Sequence, residues 1–295
     1  MKRRITPGLL LASLLYLTAC VSQPETAVAT GDNPSQPAVV TAAAEPVASP
    51  PQLVARIIPL VIRETFSYAD GVVDRYFEYE YDDQHRLAVR LTRTVSQSEP
   101  LETMRRQYAA EHLTRQQQFN ASGELVSTIA YSYDAAGNLV RESLLDGLDR
   151  PQTVSLFSWD AAGRRVDWQV FNGEGTLQAR SEYAYDAAGQ LQSIRLLNGA
   201  GVLVETAEYL YRADGLLDGI TYASAQGTTV RRVVYAYVNG QRSEETLFRS
   251  GTRLERRVVY AVGELGEDLQ HQVYDAAGVL REQVTFEYRY VQLAE

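Results

Sequence analysis

The chain has one cysteine, Cys20, and one lysine, Lys2, in 295 residues. A single thiol excludes an internal disulfide framework and any multi-cysteine metal site. One lysine leaves arginine to carry almost all the positive charge, and the formal net charge is −9. The clustered Lys/Arg that phosphate binding needs is missing, which excludes nucleic acid as a partner and a polybasic grip on anionic lipid. No His-x-x-His pair and no Gly-rich phosphate loop before a helix occurs. Metal and nucleotide sites therefore have no basis, and no cofactor is implied. The three histidines, His85, His112 and His271, stand in or beside degenerate turns or in a late linker. They read as solvated residues rather than catalysts.

Long apolar runs are scarce as well. Leu9 to Leu17 follows Lys2, Arg3 and Arg4 and is too short for a permanent bilayer span, so residues 1–19 read as a cleaved signal. Its end, Leu17-Thr18-Ala19-Cys20, resembles the lipobox of bacterial lipoproteins. That resemblance implies cleavage before Cys20, acylation of its thiol and a lipid anchor in the membrane. Val21 and Ser22 are not the aspartate that marks inner-membrane retention in many such proteins, which points to the outer membrane. Residues 20–52 hold six prolines and no aromatic residue. Such a stretch cannot bury enough apolar surface to offset its ordering entropy, and reads as an extended tether.

What is present is a phrase that returns. YSYDAAGNLV at 131–140 recurs as FSWDAAGRRV at 157–166 and YAYDAAGQLQ at 183–192, with shorter forms at 211–217 and 274–280. Gly137, Gly163, Gly189 and Gly215 stand 26 residues apart, and a second set of turns, at Gly123, Gly175, Gly201 and Gly227, divides each unit into 12 and 14. Gly240 and Gly251 come one residue early, and Gly266 and Gly278 restore the spacing; His85, Gln97, Glu111 and Asp149 fill the remaining slots. Turns this frequent leave no room for helices. The fold class is all-β: a long antiparallel meander of about 18 strands from 26-residue two-strand units, forming a curled or spiralled open sheet.

The turn chemistry is explicit. Asp134, Asp160, Asp186 and Asp275 cap their turns with their own carboxylates, and Gly137, Gly163, Gly189, Gly215 and Gly278 supply the positive φ of a type I turn with a G1 bulge. Neighbouring copies of the aspartate lie two strands apart, about 9.6 Å, too far to share a calcium ion. The turn sets Tyr133 opposite Leu139 and Tyr131 opposite Arg141. Alternation places Leu125, Ile129, Tyr131 and Tyr133 on one face, with Val126, Thr128 and Ser132 on the other.

Tyr-x-Tyr-Asp-x-x-Gly-x-Leu, as in Tyr131 to Leu139 and Tyr183 to Leu191, resembles the YD repeat of RHS-type proteins over roughly residues 66–290. The resemblance implies a β-strip of the kind that spirals into a shell around a toxic cargo, but the core-ending segment with its paired aspartates is missing. It implies a wall without a cargo.

Tyrosine dominates the aromatics, with 19 against 7 Phe and 2 Trp. Such residues suit a half-buried sheet, the ring packed and the hydroxyl wet. Tyr131, Tyr133, Trp159, Tyr183, Tyr185, Tyr209 and Tyr211 form a ladder on every second strand. Its rings either pack as a core or offer a stacking platform for a glycan or an extended peptide. Trp168 stands off that ladder and has no place in the core by register. The expected function is a non-enzymatic, lipid-anchored envelope scaffold that presents the repeat sheet to a protein partner. The alternative is a glycan- or peptidoglycan-binding module, and a hydrolase has only scattered carboxylates behind it. Two end segments complete the reading. Residues 53–65, with Pro59, are expected to cap the open apolar face, and Phe286 to Tyr290 to form a free edge for strand addition.

Overall fold

The computed structural model describes residues 56–293. The signal segment, Cys20 and the tether lie outside the described residues, as do 53–55 of the expected cap. Eighteen strands follow one another without a helix. They are β1 (Arg56–Tyr68), β2 (Val73–Tyr81), β3 (Leu87–Arg93), β4 (Glu102–Ala109), β5 (His112–Asn120) and β6 (Leu125–Tyr133). Next come β7 (Leu139–Asp146), β8 (Pro151–Trp159), β9 (Arg165–Asn172), β10 (Leu177–Tyr185), β11 (Leu191–Asn198) and β12 (Leu203–Tyr211). The last are β13 (Leu217–Ser224), β14 (Thr229–Val238), β15 (Gln241–Arg249), β16 (Arg253–Val262), β17 (Asp268–Asp275) and β18 (Leu280–Leu293).

Each strand pairs antiparallel with the next, and β1 pairs with both β2 and β18. The sheet therefore closes into a barrel, which corrects the expected open strip. Each strand twists and tilts against its neighbour, and eighteen such steps bring the first strand beside the last. Two further expectations fall with the open sheet. Residues 56–65 are not a cap but most of β1, with Pro59 opposite Tyr290. Phe286 to Tyr290 is not a free edge, because Phe286 pairs with Glu64 and Tyr288 with Val61. Among the described residues closure leaves no unpaired strand for a partner to extend.

The turns follow their local chemistry. Gly137 has φ 85° and donates its N–H to the Asp134 carbonyl at 3.1 Å. The Asp134 Oδ1 accepts from the N–H groups of Ala136 and Asn138, each at 2.9 Å. Gly163, Gly189, Gly215 and Gly278 share the positive φ. His85 and Asp149 take it up in the slots where glycine is replaced, at φ 61° and 59°. Gln97 does not take it up, because β3 and β4 are joined by the longer loop 94–101. Two further positions shift. Ala110, rather than Glu111, is left-handed, because Ala109 pairs directly with His112 and leaves a two-residue loop. The Asn239-Gly240 loop is equally short, which accounts for the early glycine.

Bulges correct the assumed register. Tyr133 pairs with Leu139, as the turn requires, but an extra residue at Val140 sets Ser132 opposite Arg141 and Tyr131 opposite Glu142. A similar irregularity at Val126 sets Leu125 opposite Phe119, off the row of Ile129 and Tyr131. A single inserted residue reverses the alternation beyond it.

The aromatic ladder faces the barrel interior. Small residues between its rings are buried, with Ser155 6%, Ser181 1% and Ala207 8% exposed, whereas Val126, Val204 and Leu210 on the opposite face are 48%, 47% and 54% exposed. Side chains converge on the concave side of a cylinder and diverge on the convex side. Among the described residues no strand comes within 8 Å, Cα to Cα, of any but its two neighbours. Eighteen strands about 4.8 Å apart, tilted as barrel strands are, enclose a cylinder roughly 30–35 Å across. The interior is a lumen rather than a packed core.

The second aromatic of each pair has a task that the sequence reading assigned to water. Tyr185 donates its hydroxyl hydrogen to the Arg165 carbonyl at 2.7 Å, Tyr211 to that of Leu191 at 3.0 Å and Tyr237 to that of Leu217 at 2.8 Å. Tyr81, Tyr108, Tyr133 and Tyr288 do the same to Val61, Leu87, Leu113 and Asp268, and the Trp159 indole N–H to Leu139. Each carbonyl sits just past the end of a ladder. The β11–β12 pairs, for example, reach Ser193 and Glu208 and stop short of Leu191. At the one equivalent seam without a clamp, β15 to β16, the position is Val262.

The opposite rim uses close approach instead. A Cβ on Gly147, Gly173 or Gly199 would lie 2.2, 2.1 and 2.1 Å from the carbonyl oxygens of Leu125, Pro151 and Leu177. Gly175, although left-handed at φ 81°, has open space around it. Gly173→Ala is therefore expected to destabilise by about 2–3 kcal/mol through backbone displacement, and Gly175→Ala by about 1 kcal/mol through conformation alone. Urea midpoints of the two variants, with the order reversed, would refute this assignment. Tyr211→Phe should cost about 1 kcal/mol and speed amide exchange at the start of β11, while Tyr209→Phe, whose hydroxyl holds no such carbonyl, leaves that exchange unchanged.

Candidate functional site in the lumen

Strands β7 to β10 bring together the densest group of chemically capable side chains on the lumen wall. Phe157 and Trp168 are cross-strand partners and stack at 6.1 Å with planes 14° apart. Trp168, which had no place by register, is thus a lumen residue; Ser181, its partner on the other side, leaves room for it. The Arg165 guanidinium lies 4.7 Å from the Phe157 ring, 5.2 Å from Trp159 and 5.8 Å from Tyr183. An Arg over an aromatic face gains cation–π attraction and keeps its edge for hydrogen bonding.

Three donors in this group are buried without a partner: Trp168 Nε1, Tyr183 Oη and Arg165 Nε. Buried polar atoms are paired in the great majority of cases, and these three stand close together without a partner in the protein. The eight candidate ring positions divide accordingly. Tyr133, Trp159, Tyr185 and Tyr211 are held by backbone carbonyls. Tyr131, Trp168, Tyr183 and Tyr209 make no such bond and form the free part of the wall. Sequence reasoning missed Glu142 and Arg165, since nothing in the residues around them separates a lumen charge from a surface one.

Electrostatics follow burial. Desolvation pushes the Glu142 carboxyl up, only partly offset by Arg165, and it pushes Glu64 up in the same way. Burial raises the Tyr131 hydroxyl to about 12 and lifts Tyr209 and Tyr235 further. The turn caps move the other way. The Asn138 side chain and backbone hold Asp134 low, and the backbone and guanidinium of Arg164 hold Asp160 low. His271 is not a turn residue: it lies within β17, edge-on between Tyr260 at 4.7 Å and Phe286 at 4.8 Å. His112 stands beside its turn, 4.5 Å from Tyr133. Among the described residues no group of His, Cys, Asp or Glu is arranged to hold a metal ion.

The outer wall differs in kind. Arg180 pairs with Asp167 at 2.6 Å, Arg195 with Glu182 at 2.9 Å, and Glu78 with Arg63 at 2.7 Å and Arg93 at 2.6 Å. These pairs lie mid-strand on the convex face.

With this geometry in hand, the chain can be set beside known proteins. No family model matches it. No curated protein matches it either. Among solved structures it is similar to a porin-like protein from Bacteroides uniformis, at 10% identity over 78% of this chain and 98% of that one, with a TM-score of 0.44. A porin-like protein from Bacteroides vulgatus aligns over the same shares at 10% identity and a TM-score of 0.35. A TcdB2–TccC3–Cdc42 complex aligns at 13% identity over 74% of this chain but 14% of that one, with a TM-score of 0.37. The expected membership of the RHS-type repeat family is corrected: no family model supports it, and the sheet closes where a spiralling strip was expected. The lipobox segment lies outside the described residues.

The raised Glu142 has a testable sign. A carboxyl whose folded pKa exceeds its unfolded value contributes no penalty below the unfolded pKa and destabilises as pH rises through the folded one. Glu142→Gln is therefore expected to raise the urea midpoint at pH 7 and leave it unchanged at pH 4. An equal effect at both values would show that packing, not charge, governs this position.

Proposed function

We propose that the protein is a non-enzymatic, lipid-anchored component of the cell envelope whose barrel binds a glycan on the lumen wall. The observation that carries this reading is the Phe157–Trp168 stack beside the unpaired donors of Trp168, Tyr183 and Arg165. Sugar rings present apolar faces to aromatic side chains and hydroxyl acceptors at their edges, and this patch offers both complements. Strand addition, the simplest route to a protein partner, loses its support because β1 and β18 occupy each other's edges.

The membrane relation in this reading is an anchor rather than a span. A bilayer-embedded barrel needs an outward apolar band, and a charge at its midplane costs about 2–4 kcal/mol. The mid-strand pairs around Asp167, Arg180 and Glu182 favour a wall that stands in water. Acylation at Cys20, with the outer membrane as address, then supplies attachment. A second reading, docking of a protein partner, is favoured by the apolar turn tips of one rim, where Val72, Val95, Leu148 and Val202 are 57%, 71%, 74% and 59% exposed.

Binding to a glycan array and to purified peptidoglycan tests the first reading. Trp168→Ala and Phe157→Ala are expected to weaken retention at least tenfold, about 1.4 kcal/mol, while Arg180→Gln on the outer wall has no effect. Retention unchanged in both lumen variants would refute a lumen site.

A further inference from the structure

The lumen wall carries charge that is unlike the rest of the molecule. The chain is acidic, at −9. Yet the interior holds Arg90, Arg106, Arg165 and Arg242, and none of the four has a carboxylate within ion-pair distance among the described residues. Two other lumen arginines are matched: Arg231 lies 3.6 Å from Glu205 and Arg256 lies 3.7 Å from Glu245. The unmatched guanidiniums lie mostly on rings. Arg90 is 4.7 Å from the Phe77 centroid, Arg242 is 4.9 Å from that of Tyr260, and Arg165 sits among Phe157, Trp159 and Tyr183. Arg106 is held by Gln116 Oε1 at 3.0 Å.

A guanidinium held over a ring is restrained by it and keeps donor hydrogens on its outer edge. Beside a stacking surface, that arrangement complements a ring bearing a carboxylate: the apolar face of the sugar lies on the aromatic and the acid meets the fork. A neutral polysaccharide would leave these guanidiniums without an ion-paired partner. Resting on the glycan reading above, we infer that the lumen ligand is an acidic glycan, a polymer of carboxylate-bearing sugars, with Arg165 and Trp168 as one charge-and-stack subsite. Spacing supports a polymer rather than a single sugar. Arg90 on β3, Arg165 on β9 and Arg242 on β15 stand on strands far apart around the wall, so several residues of one chain can be engaged at once.

The test uses the full-length protein in detergent, titrated with polygalacturonate, alginate and hyaluronate oligomers, each beside its carboxyl-methylated form. At least one acid oligomer is expected to bind tenfold or more tightly than its ester, and to weaken as salt rises from low to high ionic strength. Arg165→Gln should reduce that preference to within twofold, Arg165→Lys should retain most of it, and Trp168→Ala should weaken acid and ester alike. Circular dichroism checks that each variant is folded. Equal binding of acid and ester overturns this inference and leaves the glycan reading standing. Failure of every acid and neutral glycan overturns both. Equally tight binding of a single-stranded oligodeoxynucleotide, or a preference undiminished in Arg165→Gln, also overturns it.

Discussion

The barrel depends on how each hairpin is offset from the next. In a tilted cylinder successive ladders cannot end level, so every second seam leaves a carbonyl past its last pair. An aromatic side chain at the end of the adjacent strand closes most of these gaps: Tyr211 reaches Leu191, Tyr237 reaches Leu217 and Trp159 reaches Leu139. A buried carbonyl without a donor is costly, and a phenol has the length to span the gap between two neighbouring strands. The repeated Tyr-x-Tyr is therefore two devices in one phrase. The second ring seals the wall, which frees the first to face the lumen.

This division explains which parts of the structure were legible in the residues. Turns were, since Asp134 and Gly137 act within four residues and need no knowledge of the rest. Strand number followed from them. The inward row was legible only up to the first bulge, because one extra residue at Val126 or Val140 reverses the alternation without changing composition. Closure was not legible. It pairs Pro59 with Tyr290, partners at opposite ends of the domain, and depends on a small twist summed over every strand between them. The candidate site was half visible: its rings stood out by repetition. Arg165 and Glu142 did not, because nothing local separates a lumen charge from a surface one.

The two walls use charge differently, and this separates the reading from one based on outline alone. On the convex side Arg and Glu neutralise each other in exposed pairs that contribute little to stability. On the concave side several arginines rest on rings with no carboxylate at ion-pair distance, and Glu142 sits where burial opposes its ionisation. A structure that tolerates both has not optimised its interior for stability.

Because β1 completes the circle with β18, the number of units in this molecule sets its bore. Each two-strand unit contributes about 9.6 Å of circumference before tilt, hence roughly 3–4 Å of diameter. Gaining or losing one unit in the gene would dilate or narrow the opening by about the thickness of a sugar ring while leaving each turn, clamp and seam chemically the same. Selection for a different bore could thus proceed by counting, through tandem duplication, without redesigning the wall.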